Sequence, residues 1–363
     1  MRILRTSGFL RWLLLAGLLL LGGCHAVLFA GLNTTDEHKG IETERHVVFD
    51  AVHHLALDVY RPAGVEDAPI VVFFYGGDWT HGKRQWYRFV GTALAARGVI
   101  VVIPDYRKYP RVKLAGFMQD AARAVAWTHD HAEQIGGDAG DIFAMGHSSG
   151  GQIAALLATD PAWLEADGMQ PRDLAGFIGL AGVYDFVPIP AKEKDMLGMF
   201  GRTPAQQRRA QPVSFVRGDE PPMLLLQGTV DHEVAPSNST SLAHAMKAQH
   251  EDVSLKLYPG IGHMGLLFSL SRPLREHAPV LDDVLAFIHT HERGPAGERG
   301  RTIPSEGTTI TAALPSFLRR PKWLHDSEEG HSWGLSQQPG AIPAFAGMTS
   351  LERAGSPWKA AGM

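Results

Sequence analysis

The chain has 363 residues, 45% of them hydrophobic, so it is long enough to form one large buried core. Its 34 basic and 38 acidic residues give a formal net charge of −4. This balance, with no basic stripe and no nucleic-acid-binding motif, excludes a basic nucleic-acid-binding protein.

The N-terminus has the composition of a secretory signal. A leucine-rich apolar run at residues 12–21 follows three arginines: Arg2, Arg5 and Arg11. This is the order of the positive and hydrophobic regions of a signal peptide. Leu21-Gly-Gly-Cys24 then resembles a bacterial lipobox. Cys24 is the only cysteine, so it has no intramolecular disulfide partner.

The lipobox resemblance implies removal of residues 1–23 and lipidation of Cys24. It predicts a protein anchored by lipid in the bacterial cell envelope. By resemblance to lipoprotein sorting, His25 after the cysteine favours the outer membrane, facing the periplasm. An uncleaved anchor helix is the alternative, because residues 25–30 remain partly apolar. Residues 24–44 are interpreted as a linker.

The first site candidates follow a buried strand. The apolar run Pro69–Phe74 predicts that strand, and Tyr75-Gly76-Gly77 comes directly after it. Glycines allow a close approach of backbone N–H groups to a ligand, so Gly76 and Gly77 are candidates for an oxyanion hole. A plain Gly-Gly turn is the alternative interpretation.

Helical and strand-like segments then alternate through the rest of the chain, which predicts an α/β fold with a mainly parallel sheet. The predicted helices are Trp86–Arg97, Phe117–Gln134, Gln152–Thr159, Ser237–Gln249 and Pro279–His291.

A candidate nucleophile lies between the apolar run Asp141–Met145 and the third of these helices. Gly146-His147-Ser148-Ser149-Gly150 fits G-x-S-x-G, and strand, motif and helix in this order predict a nucleophile elbow. The sharp turn requires small residues two positions before and after the serine, where the chain has glycine. The N-terminus of the following helix favours negative charge at this place.

Asp185 to Glu220 is predicted to be a short cap whose apolar side chains line an acyl pocket, although a surface excursion is the alternative. The folded domain is predicted to span residues 45–292. The Gly-, Pro-, Ser- and Arg-rich tail at residues 293–363 has no sustained periodicity and is predicted to be largely disordered.

An acid and a base follow two further strands. Pro222–Gln227 leads to Asp231, and Val253–Tyr258 leads to His263. In open α/β sheets, ligands and catalytic groups gather just past strand ends. Glu233 is a close rival for the acid, and Asp231 is alternatively a cap for the next helix.

Taken together, these residues have the order Ser, Asp, His. We assign Ser148 as nucleophile, His263 as general base and then acid, and Asp231 as the group that fixes the His263 tautomer. The N–H of Ser149 joins those of Gly76 and Gly77 in the oxyanion hole. His147 and His232 adjoin these positions. Their side chains are expected to point elsewhere, and both histidines are interpreted as residues that support the catalytic groups without taking part in the reaction.

These motifs resemble the α/β-hydrolase superfamily, in its esterase/lipase branch related to hormone-sensitive lipase and kynurenine formamidase. The resemblance covers roughly residues 45–292. It rests on Tyr75-Gly76-Gly77-Asp78-Trp79, the elbow with Gly151, Gly228-Thr-Val-Asp231 and Pro259-Gly-Ile-Gly-His263. It implies an eight-stranded type of sheet with helices on both faces. Tyr75 replaces the usual histidine, a change that bears on the oxyanion loop, and Ser149 replaces the commoner alanine.

The predicted function is hydrolysis of small to medium carboxylic esters by a serine esterase through an acyl-enzyme. Amide hydrolysis of an N-formylkynurenine-like substrate is one alternative. A hydrolase-fold lipoprotein that binds without catalysis is another. No cofactor and no metal are implied, and the pair His53-His54 is interpreted as surface strand residues.

Overall fold

A computed structural model of the chain describes residues 27–35 and 37–294. The predicted signal peptide, Cys24 and residues 295–363 of the predicted tail lie outside the described residues.

One eight-stranded sheet runs through the described residues, with the strand order β1-β2-β4-β3-β5-β6-β7-β8. Strand β2 pairs antiparallel with both of its neighbours, β1 and β4. All the other neighbouring strands pair parallel. The predicted mainly parallel sheet is therefore confirmed. The strands are β1 Ile41–Asp50, β2 Leu55–Pro62, β3 Ala68–Phe74, β4 Ile100–Pro104, β5 Gly137–His147, β6 Gly176–Leu180, β7 Met223–Gly228 and β8 Val253–Tyr258.

Burial along the strands follows their place in the sheet. Every residue of β3, β4, β6 and β7 is buried, because strands in the middle of a parallel sheet are covered on both faces. The two edge strands, β1 and β8, are largely exposed or half-buried. Continuous apolar runs in the sequence thus mark the interior strands.

Helices connect and cover the strands. Helix α2 contacts α10, and α3 contacts α4. The helices are α1 at residues 27–34, α2 Arg88–Ala95, α3 Leu114–Asp130, α4 Ser149–Thr159, α5 Pro161–Leu164, α6 Lys194–Phe200, α7 Pro204–Arg208, α8 Ser237–Ala248, α9 His263–Phe268 and α10 Val280–His291. In the predicted cap, residues 185–220, the chain forms α6, α7 and a 3₁₀ turn at Pro212–Phe215.

Helix α1 lies within the stretch interpreted as a linker, and two of its side chains dock it. The Phe29 ring stacks on Trp86 at 5.5 Å and meets Phe268 edge-on at 5.8 Å. The amide oxygen of Asn33 accepts a hydrogen bond from the Phe89 N–H at 3.0 Å, which satisfies a donor at the start of α2. Among the described residues, no helix combines the length and apolarity that a membrane crossing requires.

The register of the parallel strands brings the candidate residues to one edge of the sheet. Phe74 in β3 pairs with Gly146 in β5, Gly146 pairs with Gly179 in β6, and Gly228 in β7 pairs with Tyr258 in β8. The loops that follow these strands therefore start level with one another, as the sequence interpretation requires.

Gly91 explains how α2 packs closely on the sheet. A glycine inside a helix costs roughly 0.5–1 kcal/mol relative to alanine. At Gly91, however, an added Cβ would lie 2.7 Å from Cγ of Tyr60, whose ring is buried on β2. Gly31 in α1 is a matched contrast, because an added Cβ there meets no atom within 4 Å.

We predict that Gly91→Ala lowers the free energy of unfolding by about 1–3 kcal/mol, because a tightly packed core accepts no extra methyl group. Gly31→Ala should leave stability unchanged or raise it by up to about 1 kcal/mol. Thermal and urea unfolding of both variants measures the difference. Equal effects of the two substitutions would contradict this account of Gly91.

Candidate active site

Ser148 is held on a sharp turn between β5 and α4. Its backbone is left-handed, with φ 56° and ψ −126°, a conformation that is strained for a residue with a side chain. The Ser148 N–H donates to the carbonyl of Leu180 at 3.0 Å, which ties the turn to β6. Helix α4 begins at the next residue, so its positive end lies beside the serine.

The glycines of G-x-S-x-G are required by backbone contacts. An added Cβ at Gly146 would lie 2.7 Å from the nitrogen of Gly151, and one at Gly150 would lie 2.6 Å from the carbonyl carbon of Phe74. Both distances are shorter than a real side chain tolerates. The turn therefore places α4 directly against the ends of β3 and β5, as the motif predicts.

His263 and Asp231 form a buried hydrogen-bonded pair. The imidazole Nδ1 lies 2.8 Å from Oδ2 of Asp231, and both side chains are almost fully buried. Three further donors reach this carboxylate: the side-chain amide of Gln227 at 3.0 Å and the N–H groups of Glu233 and Val234 at 2.9 and 2.8 Å. These three donors hold the carboxylate in position independently of its hydrogen bond to the histidine.

The charged form of Asp231 is favoured by these partners. Burial acts to raise its pKa, but the hydrogen bond and the charge of His263, followed by the two backbone N–H groups, outweigh burial and lower the pKa. Asp231 therefore stays ionised at neutral pH and accepts from Nδ1–H of His263. This arrangement leaves the proton-accepting lone pair on Nε2.

Glu233, the rival acid, occupies a different position. Its Oε2 lies 3.9 Å from Nε2 of His263, and its side chain is 60% exposed. Since Asp231 binds the opposite ring nitrogen at 2.8 Å while buried, Asp231 orients the imidazole and Glu233 does not. The second oxygen of Asp231 binds N–H groups of the loop before α8, but Asp231 does not cap that helix, whose N-cap residue is Pro236 and which has no side-chain cap.

His147 supports the site from behind, as expected, but its side chain points toward His263 rather than away from it. Its ring lies 4.6 Å from the His263 ring, and its Nε2 is 3.4 Å from the His263 carbonyl oxygen. Burial, followed by the charge of His263, lowers the pKa of His147 well below its usual value. His147 is therefore a neutral wall behind His263. His232 is exposed, as expected.

The loop after β3 lies on top of the serine turn. An added Cβ at Gly76 would be 3.0 Å from Cβ of Ser148 and 3.1 Å from Nδ1 of His147. Gly77 has φ 131°, which only glycine adopts readily. No described residue accepts a backbone hydrogen bond from the N–H of Gly76 or Gly77. The structure thus places Gly76 beside Ser148, with Gly77 next to it in the chain, and Ser149 begins α4 directly after the serine.

Trp79, further along this loop, fixes it from one side. Its indole N–H donates to the side-chain oxygen of Gln152 in α4 at 2.8 Å, and the Gln152 amide donates to the carbonyl of Ala210 at 2.7 Å. The Trp79 ring meets Phe200 of α6 edge-on at 4.9 Å. The loop, α4 and the predicted cap are therefore joined by one buried contact chain.

The histidine pair interpreted as strand residues lies instead in the turn between β1 and β2. The turn forms because the Asp50 carboxylate binds the N–H and the ring of His53, at 3.1 and 2.7 Å. One possible metal-ligand atom from each of Asp50, His53 and Asp120 lies within 4.8 Å of the other two. Arg123 and Arg107 already pair with the two carboxylates, so arginine neutralises this cluster.

A serine on a left-handed turn, a buried His–Asp pair and a glycine loop at the same edge of a mainly parallel sheet define a hydrolase of the α/β-hydrolase fold. Comparison with known proteins narrows this class. Residues 57–246, more than half of the chain, match the BD-FAE family, and the chain belongs to that family.

Esterases are among its relatives. The chain is 27% identical over 290 residues to a probable isoprenylcysteine alpha-carbonyl methylesterase of Oryza sativa, covering 74% of this chain and 68% of the relative. It is 29% identical to Esterase LipC of Mycobacterium tuberculosis, covering 62% and 60%. The chain thus spans about three fifths to two thirds of the length of these curated relatives.

Solved structures of esterase 2 from Thermogutta terrifontis are also similar. One, phosphoramylated by tabun, is 25% identical with a TM-score of 0.58 and covers 70% of this chain and 96% of its own. Another, with propionate bound, has a TM-score of 0.57 at 25% identity and covers 71% and 97%. The predicted esterase branch of the α/β-hydrolases is confirmed, and carboxylic ester hydrolysis is the activity of this class.

We predict that Asp231→Asn lowers kcat for ester hydrolysis by about 10⁴-fold, because the amide presents the wrong tautomer of His263. Glu233→Gln, two residues away in the same loop, is the matched control and should change kcat by less than about threefold. Stopped-flow or steady-state assays with p-nitrophenyl butyrate compare the two. A larger fall in kcat for the Glu233 variant than for the Asp231 variant would show that Glu233, and not Asp231, orients His263.

Proposed function

We propose that this protein is a serine esterase that uses Ser148 as nucleophile, His263 as general base and then acid, and Asp231 to orient His263. The observation that carries the proposal is the buried 2.8 Å hydrogen bond between His263 and Asp231, at the sheet edge where Ser148 stands on a strained turn. Such a strained turn lifts the serine side chain clear of the sheet edge.

The proposed reaction uses these three side chains in turn. Nε2 of His263 takes the Ser148 proton as Oγ attacks the ester carbonyl, and the tetrahedral intermediate carries negative charge on its oxygen. N–H groups of Gly76, Gly77 and Ser149 stabilise that oxyanion. His263 then protonates the leaving alcohol. Water, activated by the same nitrogen, releases the acid from the acyl-enzyme and restores the free Ser148.

We infer that the preferred substrates have short acyl chains. Trp79 and Phe200 pack edge-on at 4.9 Å, and Phe186 lies 5.5 Å from Phe200, so bulky rings occupy the space between the glycine loop and α6. Gln152 and Ala210 hold this aromatic wall by hydrogen bonds. The propionate found in the Thermogutta terrifontis esterase supports the same size class for this chain.

We predict that the full-length protein hydrolyses p-nitrophenyl acetate and butyrate with kcat/KM at least about tenfold above that for octanoate, because we propose that this aromatic wall limits the length of the acyl chain. Ser148→Ala should lower kcat by at least about 10⁴-fold. Initial rates of the parent protein and of Ser148→Ala with the three esters give both the chain-length preference and the effect of the substitution.

Three contrary results each have a definite meaning. Equal rates in the parent and Ser148→Ala would remove Ser148 from the mechanism. A preference for octanoate would refute the short-chain assignment. Hydrolysis of N-formylkynurenine without ester hydrolysis would establish the amidase alternative.

We also propose that Cys24 carries a lipid anchor and that the mature protein lies at the bacterial outer membrane, facing the periplasm. The support is sequence order alone: arginines, an apolar run, Leu-Gly-Gly-Cys and then His25. Stable attachment requires more than one acyl chain, because a single chain gives only marginal binding.

We predict that cells labelled with an alkyne fatty acid incorporate the label into the wild-type protein and not into Cys24→Ser. The wild-type protein should sediment with outer membranes because its acyl chains insert there. Cys24→Ser removes only the thiol and keeps the apolar run, so it tests the role of the thiol separately. Equal sedimentation of both proteins without label would support the uncleaved anchor helix instead.

A further inference from the structure

Three tyrosine rings form a buried stack behind the glycine loop. The Tyr75 ring lies between Tyr87, at 5.4 Å and an interplanar angle of 17°, and Tyr106, at 4.9 Å and 27°. All three side chains are buried. Tyr75 directly follows β3, Tyr87 immediately precedes α2, and Tyr106 lies two residues after β4, so three separate parts of the chain meet here.

The two outer tyrosines each hold one peptide group of the loop. The Tyr106 hydroxyl donates to the carbonyl oxygen of Tyr75 at 2.9 Å, and the Tyr87 hydroxyl donates to the carbonyl oxygen of Gly76 at 3.3 Å. These carbonyls belong to the same peptide groups as the N–H of Gly76 and the N–H of Gly77. In a trans peptide the C=O and the following N–H point in opposite directions. A donor behind the carbonyl therefore fixes the direction of the N–H in front.

Glycine makes this restraint necessary. Gly76 and Gly77 have no side chain to limit rotation of the peptide between them, and Gly77 already adopts φ 131°. A rotated peptide would present a carbonyl oxygen to the oxyanion and would repel it. Hydrogen bonding to a peptide carbonyl also polarises the group and strengthens its N–H as a donor.

The geometry points to Tyr106 and Tyr87 as positioning residues of the oxyanion hole, each holding from behind the peptide whose N–H stabilises the oxyanion. This inference rests on the proposed serine esterase function. In this assignment neither residue contacts the substrate, and each acts through the backbone of Tyr75–Gly77.

The phenols remain donors over the working pH range. Burial, aided by neighbouring Asp105 and Tyr106, raises the pKa of Tyr75 well above its usual value. Burial likewise raises the pKa of Tyr106 and of Tyr87. Ionisation would convert each hydroxyl from a donor into an acceptor and would repel the carbonyl oxygen. The hydrophobic stack prevents this.

Tyr75 itself acts as the spacer of the stack. Its hydroxyl is bound away from the loop, since it donates to Asp105 at 3.1 Å and accepts from Lys108 at 2.9 Å. The Lys108 ammonium also lies over the Tyr75 and Tyr106 rings, at 5.1 and 5.0 Å. These contacts fix the middle ring, and the middle ring sets where the outer hydroxyls point.

The test removes one hydroxyl at a time and keeps each ring. For Tyr106→Phe and Tyr87→Phe we expect kcat for p-nitrophenyl butyrate to fall by about tenfold or more, with KM changed by less than about threefold. The Ki of an aryl trifluoromethyl ketone, which forms an oxyanion on Ser148, should rise by the same factor as kcat falls. Loss of stability alone would not produce this proportionality.

Tyr258→Phe is the matched control, because the hydroxyl of Tyr258, at the end of the edge strand β8, donates to Asp283 of α10 at 2.6 Å, away from the glycine loop. It should lower the melting temperature with little change in kcat. Unchanged kcat and Ki in both test variants, or a rise in KM alone, would overturn the inference. If turnover in the wild type does not depend on Ser148, the proposed function itself fails, whatever the tyrosine variants do.

Discussion

Direct contact between bare backbones at the serine turn is the constraint on which the rest of the structure depends. Gly150 lies against the carbonyl of Phe74, Gly146 against Gly150 and Gly151, and Gly151 against Gly182, so α4 has no side chains between itself and three strand ends. A methyl group at any of these contacts would push α4 away from the sheet. The backbone of Ser148 accepts a left-handed conformation because these surrounding contacts leave it no alternative. Each further part of the site is positioned relative to that turn.

Rigid support reaches the site from several directions. The imidazole of His263 is held by Asp231 on one ring nitrogen and by the neutral ring of His147 on a face. The glycine loop is held at one end by Trp79 through Gln152, and from behind by the tyrosine stack. A catalytic constellation needs this kind of support, because misplacement by 1 Å costs up to about 10²-fold in rate. The support comes from side chains that never meet the substrate.

Sequence reasoning found the parts that local patterns encode. The apolar run Pro69–Phe74 matches β3 to within one residue, and Val253–Tyr258 matches β8 in full, since burial on one or both faces leaves a direct pattern in a strand. It missed features that depend on distant partners. His147 faces His263 because β5 and α9 meet at the sheet edge, and α1 is helical because Phe29 finds an aromatic pocket built by α2 and α9. Neither contact has a signature in the local sequence.

Tyr75 shows how a departure from the family motif is tied to its surroundings. The usual histidine at this position has polar atoms around its ring, and two neighbouring phenyl faces would leave those atoms without partners. Tyrosine presents apolar faces to Tyr87 and Tyr106 and carries its one polar atom to the far end, where Lys108 and Asp105 bind it. The same Asp105 pairs with Arg84, which in turn binds Asp58 of β2 at 2.9 Å. The substitution at position 75 is therefore coupled to a buried charge network that reaches the antiparallel edge of the sheet. A change to histidine at this position would remove one hydrogen-bond partner from Lys108 and one from Asp105, although Asp105 would keep its ion pair with Arg84 and Lys108 its bond to the Tyr106 carbonyl.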